Sequence, residues 1–196
     1  TRSMARNLQK KQGLTVKELS GFLQTAVVDA NKAIRAANTD EGVDAGTTIV
    51  AMLRSGQRVV VANLGDSRLY LLRDGQLRTI TEDHSLVAAR VAAGNLSAEE
   101  ARVHPDSNLL LHYLGHEDEV EPDLYELDAQ PGDRFLLCSD GLWGELQQRR
   151  LTRLLGEDLD TRRTVRRLVR AANDAGGKDN VTAMVIDIPF ASADLE

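Results

Sequence analysis

The chain has 196 residues, 42% of them hydrophobic and 28% charged, enough for one domain with a sizeable core. Its 24 basic and 30 acidic residues give a net charge of -6, which argues against a bulk electrostatic grip on nucleic acid or an anionic membrane surface. No apolar run approaches the ~20 residues of a membrane-spanning helix, and the opening TRSMARNLQKKQG lacks the apolar centre of a signal peptide, so a cytoplasmic protein is expected.

A short charged piece precedes Gly13. Thr15 and Glu18 then have the spacing of a capping box, and Val16, Leu19, Leu23, Val27, Ala30, Ile34 and Ala37 recur at helical intervals, which predicts a helix over 16–37. A polar loop is expected over 38–44. Beyond it the period changes to that of strands: 47–54 and 57–63 around a Ser55-Gly56 turn, then 68–73 and 76–80 around Asp74-Gly75, a dipeptide suited to positive φ at both turn positions. These four strands are expected to run as a meander. Residues 85–93 and, after a second capping box at Ser97 and Glu100, 98–103 predict two short helices in a flap-like insertion.

The apolar stretch 109–114 fits helix or strand and ends at Gly115. Strands are expected over 124–127 and 134–139 around the Pro131-Gly132 turn, helices over 144–155 and 161–175, a last strand over 181–188 and a polar tail over 191–196. Arg162, Arg163, Arg166, Arg167 and Arg170 lie off the apolar face of the 161–175 helix and read as a solvated face, with a phosphate-binding stripe as the alternative. The single Cys138 sits within an apolar run and reads as a small buried hydrophobe. With no repeat or linker, one domain over 1–196 of α+β class is expected.

Three carboxylates recur in one setting. Phe135 to Cys138 form a continuous apolar run that stops at Ser139-Asp140-Gly141; Asp66 lies in the break between apolar runs after Gly65; Asp179 stands between Lys178 and Asn180 just ahead of the last strand. Turn and capping chemistry accounts for an Asp at any one of these places. If the three met within about 5 Å, each pair would repel by roughly 3 kcal/mol at an effective dielectric near 20, so they would bind a cation or retain protons.

Gly46-Thr47-Thr48, Gly65-Asp66-Ser67-Arg68, Asp83-His84, Ser139-Asp140-Gly141 and Gly177-Lys178-Asp179-Asn180 occur in this order. Together they resemble the metal-dependent protein phosphatase family, the type 2C class that removes phosphate from phosphoserine and phosphothreonine in proteins, and most closely its compact bacterial members. The resemblance implies a four-layer αββα sandwich of two antiparallel sheets flanked by helices, Mn²⁺ or Mg²⁺ as cofactor with two and in some members three ions, and a phosphorylated protein as substrate. It assigns Asp140 and Asp179 to a binuclear metal centre, Asp66 with Asp140 to a third, weaker position, and Asn180, Gly141 and Ser139 to the surroundings of the metal shell.

The family pattern also opens with a segment bearing a phosphate-binding Arg, an acidic pair and an Asp-Gly-x-Gly-Gly-His type motif, whereas residues 1–13 contain no Asp, Glu or His. The chain is therefore expected to lack those N-terminal strands and motifs, to hold fewer metal ions or none, to show low or absent turnover, and to self-associate through an exposed sheet edge. A phosphatase-like interaction module without chemistry is the alternative. Zinc is disfavoured because His84, His104, His112 and His116 lack paired ligand spacing, and a serine hydrolase because no G-x-S-x-G elbow surrounds Ser67 or Ser139.

Overall fold

A computed structural model describes residues 13–116 and 119–189. The charged piece before Gly13 and the tail over 191–196 lie outside the described residues. The described residues form two compact units, one drawn from 13–66 and from the described part of 83–128, the other from 67–82 and 129–189. Each contains one antiparallel sheet and its own helices, so the α+β class and the pair of antiparallel sheets are as expected.

In the first unit, helix α1 (Val16–Glu41) begins with the predicted capping box: the Glu18 N–H donates to Thr15 Oγ1 at 3.3 Å, and the Thr15 N–H donates to Glu18 Oε2 at 2.9 Å. The helix runs four residues past the expected stop at Ala37. A polar tail is no obstacle on a solvated face, and the chain turns only where Gly42, at φ 66°, supplies a left-handed cap and donates to the Asn38 carbonyl. Leu19, Leu23 and Val27 pack on Val60, Ala62 and Leu64 of strand β2 (Arg58–Leu64). Asn31 continues that stripe as a buried polar residue, and its Oδ1 accepts the Gly115 N–H at 2.7 Å.

Strand β1 (Ile49–Ser55) pairs with β2 around a turn at Gly56-Gln57, one residue later than the sequence suggests. On its other side β2 pairs with β5 (Asp123–Asp128), giving the order β1-β2-β5. Helices α2 (Leu86–Ala92) and α3 (Ala98–Val103) start at Ser85 and at the expected capping box of Ser97 with Glu100. The stretch 109–114 is neither helix nor named strand; it is held by isolated bridges from Leu110 to Ser85 and from Leu114 to Thr47.

In the second unit, β3 (Arg68–Arg73) and β4 (Gln76–Thr79) form the predicted hairpin, with Asp74 at φ 51° and Gly75 at φ 72°. The expected four-strand meander is not formed. β3 pairs with β6 (Arg134–Cys138) rather than β2, because the turn at Gly65-Asp66-Ser67 carries the chain out of the first sheet. β6 is central, with β7 (Ala183–Asp187) beyond it, in the order β4-β3-β6-β7. The strands on either side of Pro131-Gly132 likewise belong to different sheets.

Three helices complete the unit: α4 (Asp140–Trp143), α5 (Gln148–Leu155) and α6 (Thr161–Ala175). The helix expected over 144–155 starts only at Gln148, and a separate turn of helix over 140–143, ahead of the expected range, starts directly at the strand end. Leu136, Cys138, Leu142, Leu151, Leu155 and Leu168 lie in one buried cluster, each large aliphatic side chain contributing ~1.5–3 kcal/mol. Cys138 is buried and forms no disulfide.

Two ion pairs fix where β6 begins. The Arg73 guanidinium donates from Nε and Nη2 to the buried Asp133 carboxylate at 2.7 and 2.6 Å, and the Gln130 N–H donates to the same carboxylate at 2.7 Å. Burial works to raise the Asp133 carboxyl, but these hydrogen bonds and the charges of Arg73 and Arg78 outweigh it and hold the group below the ordinary carboxylate range. Arg134 next to it clasps Asp187 on β7 at 2.6 and 2.9 Å and donates to the carbonyls of Leu155 and Leu159 at 2.7 and 2.9 Å. The strand that ends at Asp140 is therefore anchored at its start to β3, β7 and the chain on both sides of Gly156.

Candidate metal centre

β6 ends in the sequence predicted to present a carboxylate, and it does so by running straight into a helix. Ser139 is the N-cap of α4 and Asp140 its first residue, half-buried, with one carboxylate oxygen accepting the Gly141 N–H at 2.9 Å. Ser139 is stitched to the chain that enters β7. Its N–H donates to the Thr182 carbonyl at 3.1 Å, its Oγ accepts the Thr182 N–H at 3.1 Å, and the hydroxyl donates to the Asn180 carbonyl at 3.3 Å.

Gly141 makes that approach possible. A Cβ on Gly141 would overlap the Asn180 carbonyl oxygen and crowd that of Asp179. Asp179 is exposed, and its Oδ1 accepts the Asn180 N–H at 2.6 Å. Asp140 and Asp179, 39 positions apart (179 less 140), are thereby placed on abutting backbone segments. Sequence reasoning named all five residues from 139 to 141 and 179 to 180.

A feature missed from the sequence supports α4. The Arg68 guanidinium lies 3.5 Å from the centroid of the Trp143 ring and donates to the Tyr70 hydroxyl at 3.1 Å. Since Arg68 pairs in register with Cys138, this contact ties the last residue of α4 back to the strand beside its origin. The sequence signal was that Arg68 and the single Trp143 each lie within three residues of an acidic motif residue, Asp66 and Asp140.

Asp66 belongs to the other unit and is buried, 8% exposed. Its corner is built on Gly65, whose φ of 109° and close contact with the Thr48 side chain leave no room for a Cβ. Thr48 is part of the Gly46-Thr47-Thr48 motif, which gives that motif a packing role. His84 brackets the same glycine: the Gly65 N–H donates to Nδ1 at 3.2 Å, and the His84 N–H donates to the Gly65 carbonyl at 2.9 Å. With Nδ1 accepting, Nε2 bears the ring hydrogen and donates to Asp123 Oδ2 at 3.0 Å, where the Tyr125 hydroxyl also donates at 3.1 Å. Asp123 was not anticipated.

The donors at the 139–141 and 179–180 corner are all oxygen, from carboxylates, a hydroxyl and backbone carbonyls, which fits a hard divalent cation. Among the described residues, no group of three or more His, Cys, Asp or Glu side chains is gathered as a metal site. A cation held here by Asp140 and Asp179 would keep several waters, as Mg²⁺ commonly does.

Residues 1–185 match the family described as Protein phosphatase 2C. The chain is a member of the protein phosphatase 2C family. The serine/threonine phosphatase stp of Listeria monocytogenes serotype 4b (strain F2365) is 38% identical over 178 residues, which span 89% of this chain and 70% of that protein. Among solved structures, the Mycobacterium tuberculosis serine/threonine phosphatase PstP/Ppp superposes with a TM-score of 0.86 at 37% identity, over 96% of this chain and 79% of that one. The catalytic domain of PstP in complex with two manganese ions gives a TM-score of 0.84 at 36% identity, over 96% of this chain and 78% of that one. No helix among the described residues of this phosphatase 2C chain is long and apolar enough to cross a membrane.

Proposed function

We infer that this phosphatase 2C chain hydrolyses phosphoserine and phosphothreonine in proteins, with Mn²⁺ or Mg²⁺ as cofactor. The observation that carries the reading is the seating of Asp140, at the exit of a buried strand, against the Asp179-Asn180 segment through the missing Cβ of Gly141. When bound, the divalent ions acidify a water and clamp phosphoryl oxygens. Asp140 and Asp179 are the proposed ligands, and Asp66 a proposed ligand of a third, weaker position. Gly141 admits the close approach, Ser139 fixes the separation of the two segments, and Asn180 holds the Asp179 carboxylate by its N–H.

Two carboxylates neutralise two positive charges and leave most coordination positions to water, so binding by these residues is weak and turnover low. That sparse donor set is also the observation that favours the second reading, a phosphatase-like interaction module. Cytoplasmic placement belongs to the proposal and is supported by the single buried thiol, which needs no oxidising compartment. So does self-association, for β1, β5, β4 and β7 are edge strands among the described residues.

Phosphate release from a phosphothreonine peptide with Mn²⁺, measured beside Mn²⁺ binding by electron paramagnetic resonance, tests the reading. Slow, metal-dependent release is expected, and both release and binding should fall at least about tenfold in Asp140→Asn and Asp179→Asn. Release that persists in chelator, or survives both substitutions, overturns metal-dependent hydrolysis at Asp140 and Asp179. Metal-dependent binding of the peptide without any release assigns the chain to the interaction module. Light scattering over a range of concentrations tests self-association, which a constant monomer mass would refute.

A further inference from the structure

Charge is unevenly spread along the chain. Residues 149–170 carry eight arginines (149, 150, 153, 162, 163, 166, 167 and 170) against three acids (157, 158 and 160), a balance of +5. The rest, with 16 basic and 27 acidic residues, is -11, and the two sum to the chain's -6. All five cations of α6 are arginine, and Arg162, Arg163, Arg166, Arg167 and Arg170 are all exposed.

The helix does not need this arrangement. Arg162 and Arg166, Arg166 and Arg170, and Arg163 and Arg167 are like charges at i,i+4, each costing a few tenths of a kcal/mol in an isolated helix. Two of the five are compensated: Arg167 pairs with Glu157 at 2.8 Å and Arg163 with Asp160 at 3.4 Å. Arg162, Arg166 and Arg170 have no ion pair among the described residues. A concavity of about 740 Å³ runs along this flank, with Leu159, Val165 and Val169 as its apolar lining and Arg163, Arg166 and Arg170 among its rim. Asp174 stands at its end and sets a polarity, since an anionic ligand is favoured toward Arg166 and disfavoured past Arg170.

We propose that this flank of α6 is a docking site, apart from the Asp140 and Asp179 corner, for a phosphorylated, acid-rich segment of the protein substrate. The proposal rests on the phosphatase reading for the identity of the partner. Guanidinium groups bind phosphate and carboxylate oxygens bidentately, and Arg166 and Arg170, both without an ion pair among the described residues and both beside the apolar lining, suit a peptide that offers anions and the stems of its side chains together. A chain that is otherwise strongly acidic repels such a segment elsewhere on its surface and directs it here.

The probe is a fluorescent peptide with two phosphoserines flanked by glutamates, measured by anisotropy on the full chain in chelator so that no turnover occurs. Arg166→Ala combined with Arg170→Ala should weaken binding about tenfold, the same positions changed to Glu further still, and the Lys pair should restore it in part. Under Mn²⁺, the Ala pair should raise KM for this peptide with kcat held, and leave p-nitrophenyl phosphate hydrolysis unchanged. Equal affinity of wild type and both variants overturns the proposal. So does equal binding of duplex DNA, which would mark an unselective polyanion surface, or a loss that tracks dissociation of a dimer by light scattering. Absence of phosphate release from any substrate would sink the phosphatase reading while leaving the anisotropy result to judge the docking site.

Discussion

Asp140 and Asp66 both stand where an apolar strand breaks beside a glycine, yet the two corners are held by different means. At Asp140 the strand is clasped at its start by Asp133 and Arg134, and its end is pressed backbone against backbone onto the Asp179-Asn180 segment. At Asp66 the neighbouring Gly65 packs on Thr48 and its carbonyl takes the His84 main-chain N–H, but its own N–H is held by one imidazole, itself oriented by Asp123. Main-chain packing leaves no slack, whereas a side-chain bracket can be replaced by another group of similar reach. The comparison teaches that two similar Gly-Asp signatures can differ in how much substitution each tolerates.

The largest loss of stability is expected from Asp133→Asn, which leaves the charge of half-buried Arg73 half-served. A cost of about 2–4 kcal/mol, below the full value for a buried pair because Arg73 still reaches water, should be read by urea titration. Because the folded carboxyl titrates below its unfolded value near 3.9, its contribution is present above about pH 4 and lost as pH falls further. The variant should therefore lose less stability than wild type as pH falls below about 4.

Gly141→Ala sharpens the contrast directly. It should cost about 2–3 kcal/mol by thermal unfolding, since backbone must move, and should weaken Mn²⁺ binding as Asp140 is pushed from Asp179. Wild-type melting with unchanged Mn²⁺ affinity would break the comparison from that side. At the other corner His84→Ala should cost about 1–2 kcal/mol by stranding the buried Gly65 N–H. His84→Asn, whose amide oxygen can take the place of Nδ1, should recover a good part. If Asn is as harmful as Ala, the bracket is no more replaceable than main-chain packing.

The smallest effect belongs to Arg68→Ala. Loss of its stacking on Trp143 should cost about 0.5–1 kcal/mol and appear as altered Trp143 fluorescence. Arg68→Lys should retain part of both.

Local chemistry was legible where neighbours in sequence complete it. The capping boxes at Thr15 and Ser97, the Asp74-Gly75 hairpin and the 15-residue helix beginning at Thr161 need only residues within one turn, and each stands as expected. The motif residues of the candidate centre were legible for a related reason, because a carboxylate beside Gly at the end of an apolar strand shows in the order of residues.

What the order of residues could not show was partnership. A strand's hydrogen bonds point sideways to whichever strand lies there, so β2 with β5 and β3 with β6 replaced the expected meander. Arg68 under Trp143, His84 on Gly65 and Gly141 on Asn180 likewise join positions from 19 to 75 residues apart, taking 84 less 65 and 143 less 68. The sequence by itself determined which side chains offer the oxygen donors a hard ion prefers and where most helices and strands lie, since both follow from side-chain type and period. Only the tertiary structure decided which backbone stands against which, because that choice is made by packing between segments with no memory of their distance along the chain.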